Sequence, residues 1–261
     1  MAKTFTEVIK TFLNEKGYLE NKNIEGVVFY GSVATGYATK TSDLDLQVIT
    51  NSKDPNDLAR GIDLIDGVRI EYFEKPISDY YARAIKDFEN QSNVLLSMIG
   101  HGIIIFDRNG RVHKLQEYIR ELYSLPMPCL SDEEAKEMVS IINNRMIDLK
   151  SLYEHGDLYF NHLYHLTIEK IKKFYHRLYG FPEISTSKTL KLYTDQTGYR
   201  EAIFKTVPEQ EFINLYIDAL DLNNQKTQHE KMNAIEDLYS YAKRDVHLNE
   251  NNYKIRIRSR N

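Results

Sequence analysis

From Asp43 to Ile49 the chain reads Asp-Leu-Asp-Leu-Gln-Val-Ile. Successive side chains of a β-strand point to opposite faces. As a strand, this run sends Leu44, Leu46 and Val48 to one side and Asp43 and Asp45 to the other. The apolar side needs a core to cover it. The carboxylate side gathers like charges, which repel unless a cation lies between them.

The neighbouring segments supply partners for such a strand. Phe5, Val8, Ile9, Phe12 and Leu13 fall at helical spacing, with Gly17 as a stop. Gly26 to Tyr30 reads as a buried strand that ends at Gly31-Ser32. Turn and cap residues fill 51–57, and the pattern predicts a helix from about Pro55 to Ile65. Gly67 opens a strand over Val68–Phe73, helical segments follow from Ser78 to Met98, and Ile103–Phe106 reads as a fourth strand. The turn Asp107-Arg108-Asn109-Gly110 leads to a helix from Val112 to Tyr123. His101 and His113 beside these elements read as structural.

Leu125-Pro126-Met127-Pro128 breaks the pattern as a linker would. Ser131 with Glu134 three residues on has the form of a capping box. After it only helices are expected, over approximately 131–154, 157–179, 186–195, 208–222 and 227–247. The fold class is therefore α+β, a mixed β-sheet flanked by helices and then an α-helical bundle. The domains are expected at 1–125 and 131–250, with a basic tail over 251–261.

Composition narrows the functions open to this chain. No stretch approaches the ~20 apolar residues of a membrane span. Cys129 is the single cysteine, so neither an internal disulfide nor a thiolate zinc site can form. With no apolar leader at the N-terminus, a cytoplasmic setting is expected. The net charge of −4 leans against a long nucleic acid as partner, because such affinity rests on neutralising phosphates. The 19 tyrosines read chiefly as core residues.

Gly31-Ser32 follows its strand directly. Glycine allows close approach of a backbone to a phosphate, and turn amides with the Ser32 hydroxyl can donate to phosphate oxygens. Gly36 adds a flexible point before Asp43. A triphosphate repels an anionic nucleophile, and two divalent cations on carboxylates overcome that by holding the attacking and leaving oxygens.

The segment Tyr30-Gly31-Ser32 through Asp43-Leu44-Asp45 resembles the signature of the polymerase-beta-like nucleotidyltransferases, among them the aminoglycoside and lincosamide enzymes. The resemblance implies a nucleotidyltransferase-type sheet. It implies metal binding by Asp43 and Asp45 and triphosphate binding by Gly31 and Ser32. The family carries a third carboxylate on a neighbouring strand. Glu71 fits, in mid-strand, where burial without a partner would be costly. Asp63, Asp66 and Glu74 are rivals that read as helix or loop positions. Two magnesium ions, with manganese as an alternative, and a nucleoside triphosphate are the implied cofactor and substrate.

Lys188, at a helix start after the Pro182 turn, is a candidate triphosphate ligand by the same resemblance. Glu169 and Asp148 are candidate general bases from the helical half. His162, Glu169 and His176 are seven apart, too far for one ion, and read as a solvated face. The expected function is transfer of a nucleoside monophosphate, AMP from ATP by family habit, to a hydroxyl of a small-molecule acceptor such as an aminoglycoside or lincosamide. The alternatives are a protein or tRNA acceptor, which Lys170, Lys172, Lys173 and the basic tail would serve, or a non-catalytic nucleotide-binding module. A monomer or homodimer is expected.

Overall fold

In the computed structural model, which describes residues 4–36, 38, 42–184, 186–194 and 208–246, Thr4 caps helix α1 (Phe5–Glu15) through a capping box with Glu7. The box satisfies amides that the first helical turn leaves open. Val8, Ile9, Phe12 and Leu13 are buried along its apolar stripe. They pack with Val27, Phe29, Leu44, Leu46, Val48 and Ile70, one face of a mixed sheet.

The strands are β1 (Ile24–Tyr30), β2 (Leu44–Thr50), β3 (Ala59–Ile65), β4 (Val68–Pro76) and β5 (Ile103–Asp107). Among the described residues their order is β3-β4-β2-β1-β5. β2 and β4 run parallel, and the other neighbours are antiparallel. A one-turn helix, α2 (Gly31–Ala34), joins directly to β1. The second face of the sheet lies beneath α3 (Ile77–Glu89) and α4 (Arg111–Leu122). There the Tyr80 hydroxyl donates to Gln47 Oε1 at 2.5 Å, and Val112 presses so closely on Gly26 that a Cβ on the glycine would lie 2.7 Å from it. A single π-helical turn, Leu96–Gly100, precedes β5.

One expected element is wrong. The helix over 55–65 is instead strand β3, a full antiparallel partner of β4 from Ala59↔Glu74 to Ile65↔Val68. The cause is the two-residue turn Asp66-Gly67, whose φ angles of 50° and 79° are both left-handed. That conformation matches the twist of a tight hairpin, and an Asp-Gly pair adopts it readily. The turn carries β3 back along β4 and overrides the cap-like residues at 54–57.

The chain divides into two units, Met1–Pro126 and Met127–Asn261. The second is built from α5 (Asp132–Glu154), α6 (Phe160–Tyr179), α7 (Thr186–Thr194), α8 (Gln210–Leu220) and α9 (Gln228–Ala242). Capping boxes start α5 at Ser131 and α9 at Thr227. Its core includes Tyr164, Tyr175, Phe212 and Tyr216, and Tyr175 stacks on Phe212 with ring centroids 3.6 Å apart.

The solvated-face reading of α6 fails at His176, which is 1% exposed. Its Nδ1 donates to the Pro182 carbonyl at 2.7 Å, so Nε2 accepts from the Tyr193 hydroxyl of α7. Burial lowers the imidazole pKa to about 4. Lys172 is also buried, bonded to Glu169 at 2.6 Å and Thr189 at 3.2 Å. The basic tail, Tyr37 and Thr39-Lys40-Thr41 lie outside the described residues. No helix among the described residues is long and apolar enough to cross a membrane.

Candidate active site

The site grows from the pairing register of the first unit. Tyr30 on β1 stands opposite Asp45 on β2, Asp45 opposite Glu71 on β4, and Glu71 opposite Ile62 on β3. Residues paired across a sheet share a face, so the four side chains form one lateral row. Asp43, two residues before Asp45, points the same way. Carboxylate oxygens of Asp43, Asp45 and Glu71 all lie within 4.8 Å of one another, and the three residues are half-buried. At that spacing each pair repels by roughly 3 kcal/mol at the effective dielectric near a protein surface. Such a cluster needs countercharge.

The register also disposes of the rival carboxylates. Asp63 pairs with Ile70, and Glu74 pairs with Val48. Both therefore lie on strands rather than on helix or loop, but they face α1. There Asp63 meets Lys16 at 2.8 Å, and Glu74 accepts from Tyr18. Asp66 occupies the hairpin turn.

Gly31 fits closely against the cluster. Its φ is +84°, and a Cβ there would lie 2.1 Å from Oδ2 of Asp45. Only glycine leaves that carboxylate in place. The turn of α2 is braced by Thr35, whose hydroxyl donates to the Gly31 and Ser32 carbonyls at 3.0 and 3.2 Å. Ser32 Oγ lies 3.2 Å from Ser42 Oγ, which joins the two ends of the loop before Asp43.

Below the carboxylates runs a polar relay that sequence reasoning missed. Gln47 is 1% exposed. It donates to the Tyr30 hydroxyl at 3.0 Å and accepts from Tyr80. Burial, with Asp45, Glu71 and Asp43 nearby, pushes the Tyr30 phenol up to about 12 against the opposing Gln47 bond. It stays protonated at neutral pH and presents no added negative charge.

Two arginines were also missed in these roles. Arg60 of β3 binds Glu71 Oε1 through Nε at 2.9 Å and again through Nη2. Arg69 of β4 places Nε 3.6 Å from Asp43 Oδ2. The β3–β4 hairpin is what brings Arg60 to Glu71. An Asp-Gly pair between two alternating runs was the signal that could have placed it.

The donor set suits a hard divalent cation, which takes carboxylate oxygens. Three such groups converge, a glycine clears space for one of them, and two guanidinium groups already answer their charge.

The remaining candidates belong to the second unit. Lys188 is exposed in the first turns of α7. Asp148 is exposed on α5. Glu169 is engaged on both oxygens, by Lys172 at 2.6 Å and by the Tyr216 hydroxyl at 2.6 Å. Lys173 pairs with Glu183 at 2.7 Å, so with Lys172 buried, two of the three lysines that would have served RNA are committed within the fold.

A model of the family described as polymerase beta, nucleotidyltransferase, matches residues 14–111. The match contains Gly31, Ser32, Asp43, Asp45 and Glu71. No curated protein matches the chain. Among solved structures, a nucleotidyltransferase-like protein from Exiguobacterium sibiricum 255-15 is similar over 93% of this chain and 76% of its own, with 14% identity and a TM-score of 0.49.

Proposed function

We propose, from the match of residues 14–111 to the polymerase beta nucleotidyltransferase family model, that the chain moves a nucleoside monophosphate, AMP from ATP, to a hydroxyl of a small-molecule acceptor. The observation that carries the reading is the convergence of Asp43, Asp45 and Glu71 within 4.8 Å. These residues would hold two divalent ions, magnesium or manganese, which supply charge neutralisation at the triphosphate and activation of the attacking oxygen.

The chain's own groups do the positioning. Gly31 and Ser32 bring backbone and hydroxyl donors to the phosphates beside Asp45, and Thr35 keeps that turn from fraying. Tyr30, held by Gln47, walls the β1 side of the carboxylates without adding charge. Lys188 is a further phosphate ligand in this reading. For the base, Asp148 is the better candidate, since Glu169 would first have to release Lys172 and Tyr216.

Ile62 and Leu64 of β3 are 54% and 71% exposed on the face that carries the carboxylates. This apolar strip, with Arg60 and Arg69 nearby, supports an acceptor with apolar surface next to its hydroxyl, as in lincosamides. It suits a polycationic aminoglycoside less well. The test is incubation of wild type and Asp45→Asn with α-labelled ATP, magnesium and separate aminoglycoside and lincosamide pools. Label on a lincosamide with wild type alone supports the reading. Triphosphate binding with no transfer to any small molecule removes the small-molecule acceptor.

A further inference from the structure

The two arginines at the carboxylates are not equivalent. Arg69 approaches Asp43 at 3.6 Å, beyond hydrogen-bond range. Arg60 makes two contacts to one oxygen of Glu71. Its guanidinium lies 5.1 Å from the centre of the Phe73 ring, and Phe73 is its register partner on β4. Hairpin register, ring and carboxylate together place this cation against Glu71. Yet the arginine side chain is 62% exposed while Glu71 is 15% exposed. The guanidinium closes the carboxylate off from outside and can swing into solvent without disturbing the core.

The charges show what this arrangement can do. Among the described residues, two arginines stand against the three carboxylates, at Glu71 and at Asp43. A divalent cation arriving alone at Glu71 must break the Arg60 contacts and face a released guanidinium. A cation arriving with a triphosphate brings anions to receive it, and a planar guanidinium suits phosphate oxygens. We infer that Arg60 is a displaceable counter-ion, which pairs with Glu71 until metal enters and then passes to the triphosphate, so that metal and nucleotide bind cooperatively. This rests on the proposed metal-binding role of Asp43, Asp45 and Glu71.

Coupling of this kind is reciprocal: whatever nucleotide does for metal affinity, metal does for nucleotide affinity. It disfavours metal loading without substrate. It also gives the edge strand β3 a part in the chemistry, although β3 supplies no carboxylate to the cluster.

The test is Mn2+ binding, followed by electron paramagnetic resonance, to the full chain and to Arg60→Gln, Arg60→Lys, Asp45→Asn and Arg83→Gln, with and without a non-hydrolysable ATP analogue. An exposed ion pair is worth little, so Arg60→Gln should bind Mn2+ alone only about fivefold more tightly than wild type. The same variant should lose the gain in Mn2+ affinity that the analogue confers on wild type, and Arg60→Lys should restore part of it. Arg83, which pairs with Asp87 on α3, should report no change. Unaltered or weaker Mn2+ binding by Arg60→Gln, with melting like wild type in EDTA, overturns the inference while leaving the metal site intact. Mn2+ binding that is equal in wild type and Asp45→Asn overturns the site itself and the inference with it.

Discussion

Gly31 and Gly36 offer a matched pair of substitutions that separates backbone strain from damage to the carboxylates. Their φ angles are +84° and +80°, so alanine meets the same left-handed conformation at either position. That conformation costs an L-residue roughly 1–2 kcal/mol, partly offset by a stiffer unfolded chain, worth about 0.4–1 kcal/mol. At Gly36 nothing among the described residues lies within 4 Å of the added Cβ, whereas at Gly31 the Cβ falls 2.1 Å from Asp45 Oδ2 and 3.0 Å from its Cγ. The Asp45 carboxylate must retreat by roughly 1 Å to regain ordinary contact. A magnesium ion demands near-ideal oxygen positions, so the displacement falls on metal affinity. Both variants should melt a few degrees below wild type in EDTA, at about 4 °C per kcal/mol for a unit of this size. Gly31→Ala alone should then bind Mn2+ at least about tenfold more weakly, the scale on which disturbed ligand orientation acts. Thermal melts in EDTA and calorimetric Mn2+ titrations measure the two effects separately. Equal Mn2+ affinity in the two variants would refute the claim that Gly31 is there to seat Asp45.

Two further outcomes follow from buried polar groups. His176 is held neutral at a pKa of about 4 against an ordinary 6.5, so the unfolded chain takes up a proton that the folded one refuses between those values. Stability of the helical unit should be full above pH 6.5, decline as pH falls and level off below pH 4, by about 3 kcal/mol in all. Denaturant melts of His176→Gln should show a shallower decline over that window, and an identical slope would remove His176 as its source. Tyr80→Phe deletes the donor to Gln47 Oε1 and leaves that buried oxygen unsatisfied, at a cost of about 1–3 kcal/mol. Urea unfolding should register the loss, and an unchanged midpoint would show that Gln47 re-pairs.

A feature of this protein is legible in its sequence when it depends on near neighbours in the chain, and hidden when it depends on distant ones. The paired carboxylates were legible because alternation along a single strand settles which residues share a face, and Asp43-Leu44-Asp45-Leu46 states that alternation outright. Glu71 was legible by the same parity, applied to a strand with Val68, Ile70 and Tyr72 on its other side. The Gly31 turn showed itself by following a buried run directly, and the capping box at Ser131 is contained within four residues. Strand β3 escaped because Asp54 to Asp57 resemble a helix start, while the decisive signal, Asp66-Gly67, lies at its far end. Once β3 is misplaced, Arg60 cannot be set against Glu71, since the eleven residues between them mean nothing without the hairpin register. Likewise His176 and Lys172 stand among polar neighbours on α6, and the Pro182 carbonyl, with Thr189 and Tyr193 of α7, helps make their burial tolerable. Local periodicity and turn chemistry thus determined the strand that carries the carboxylates. Tertiary pairing decided which charges answer them, because a countercharge is chosen by proximity in space, and proximity is set by register and packing.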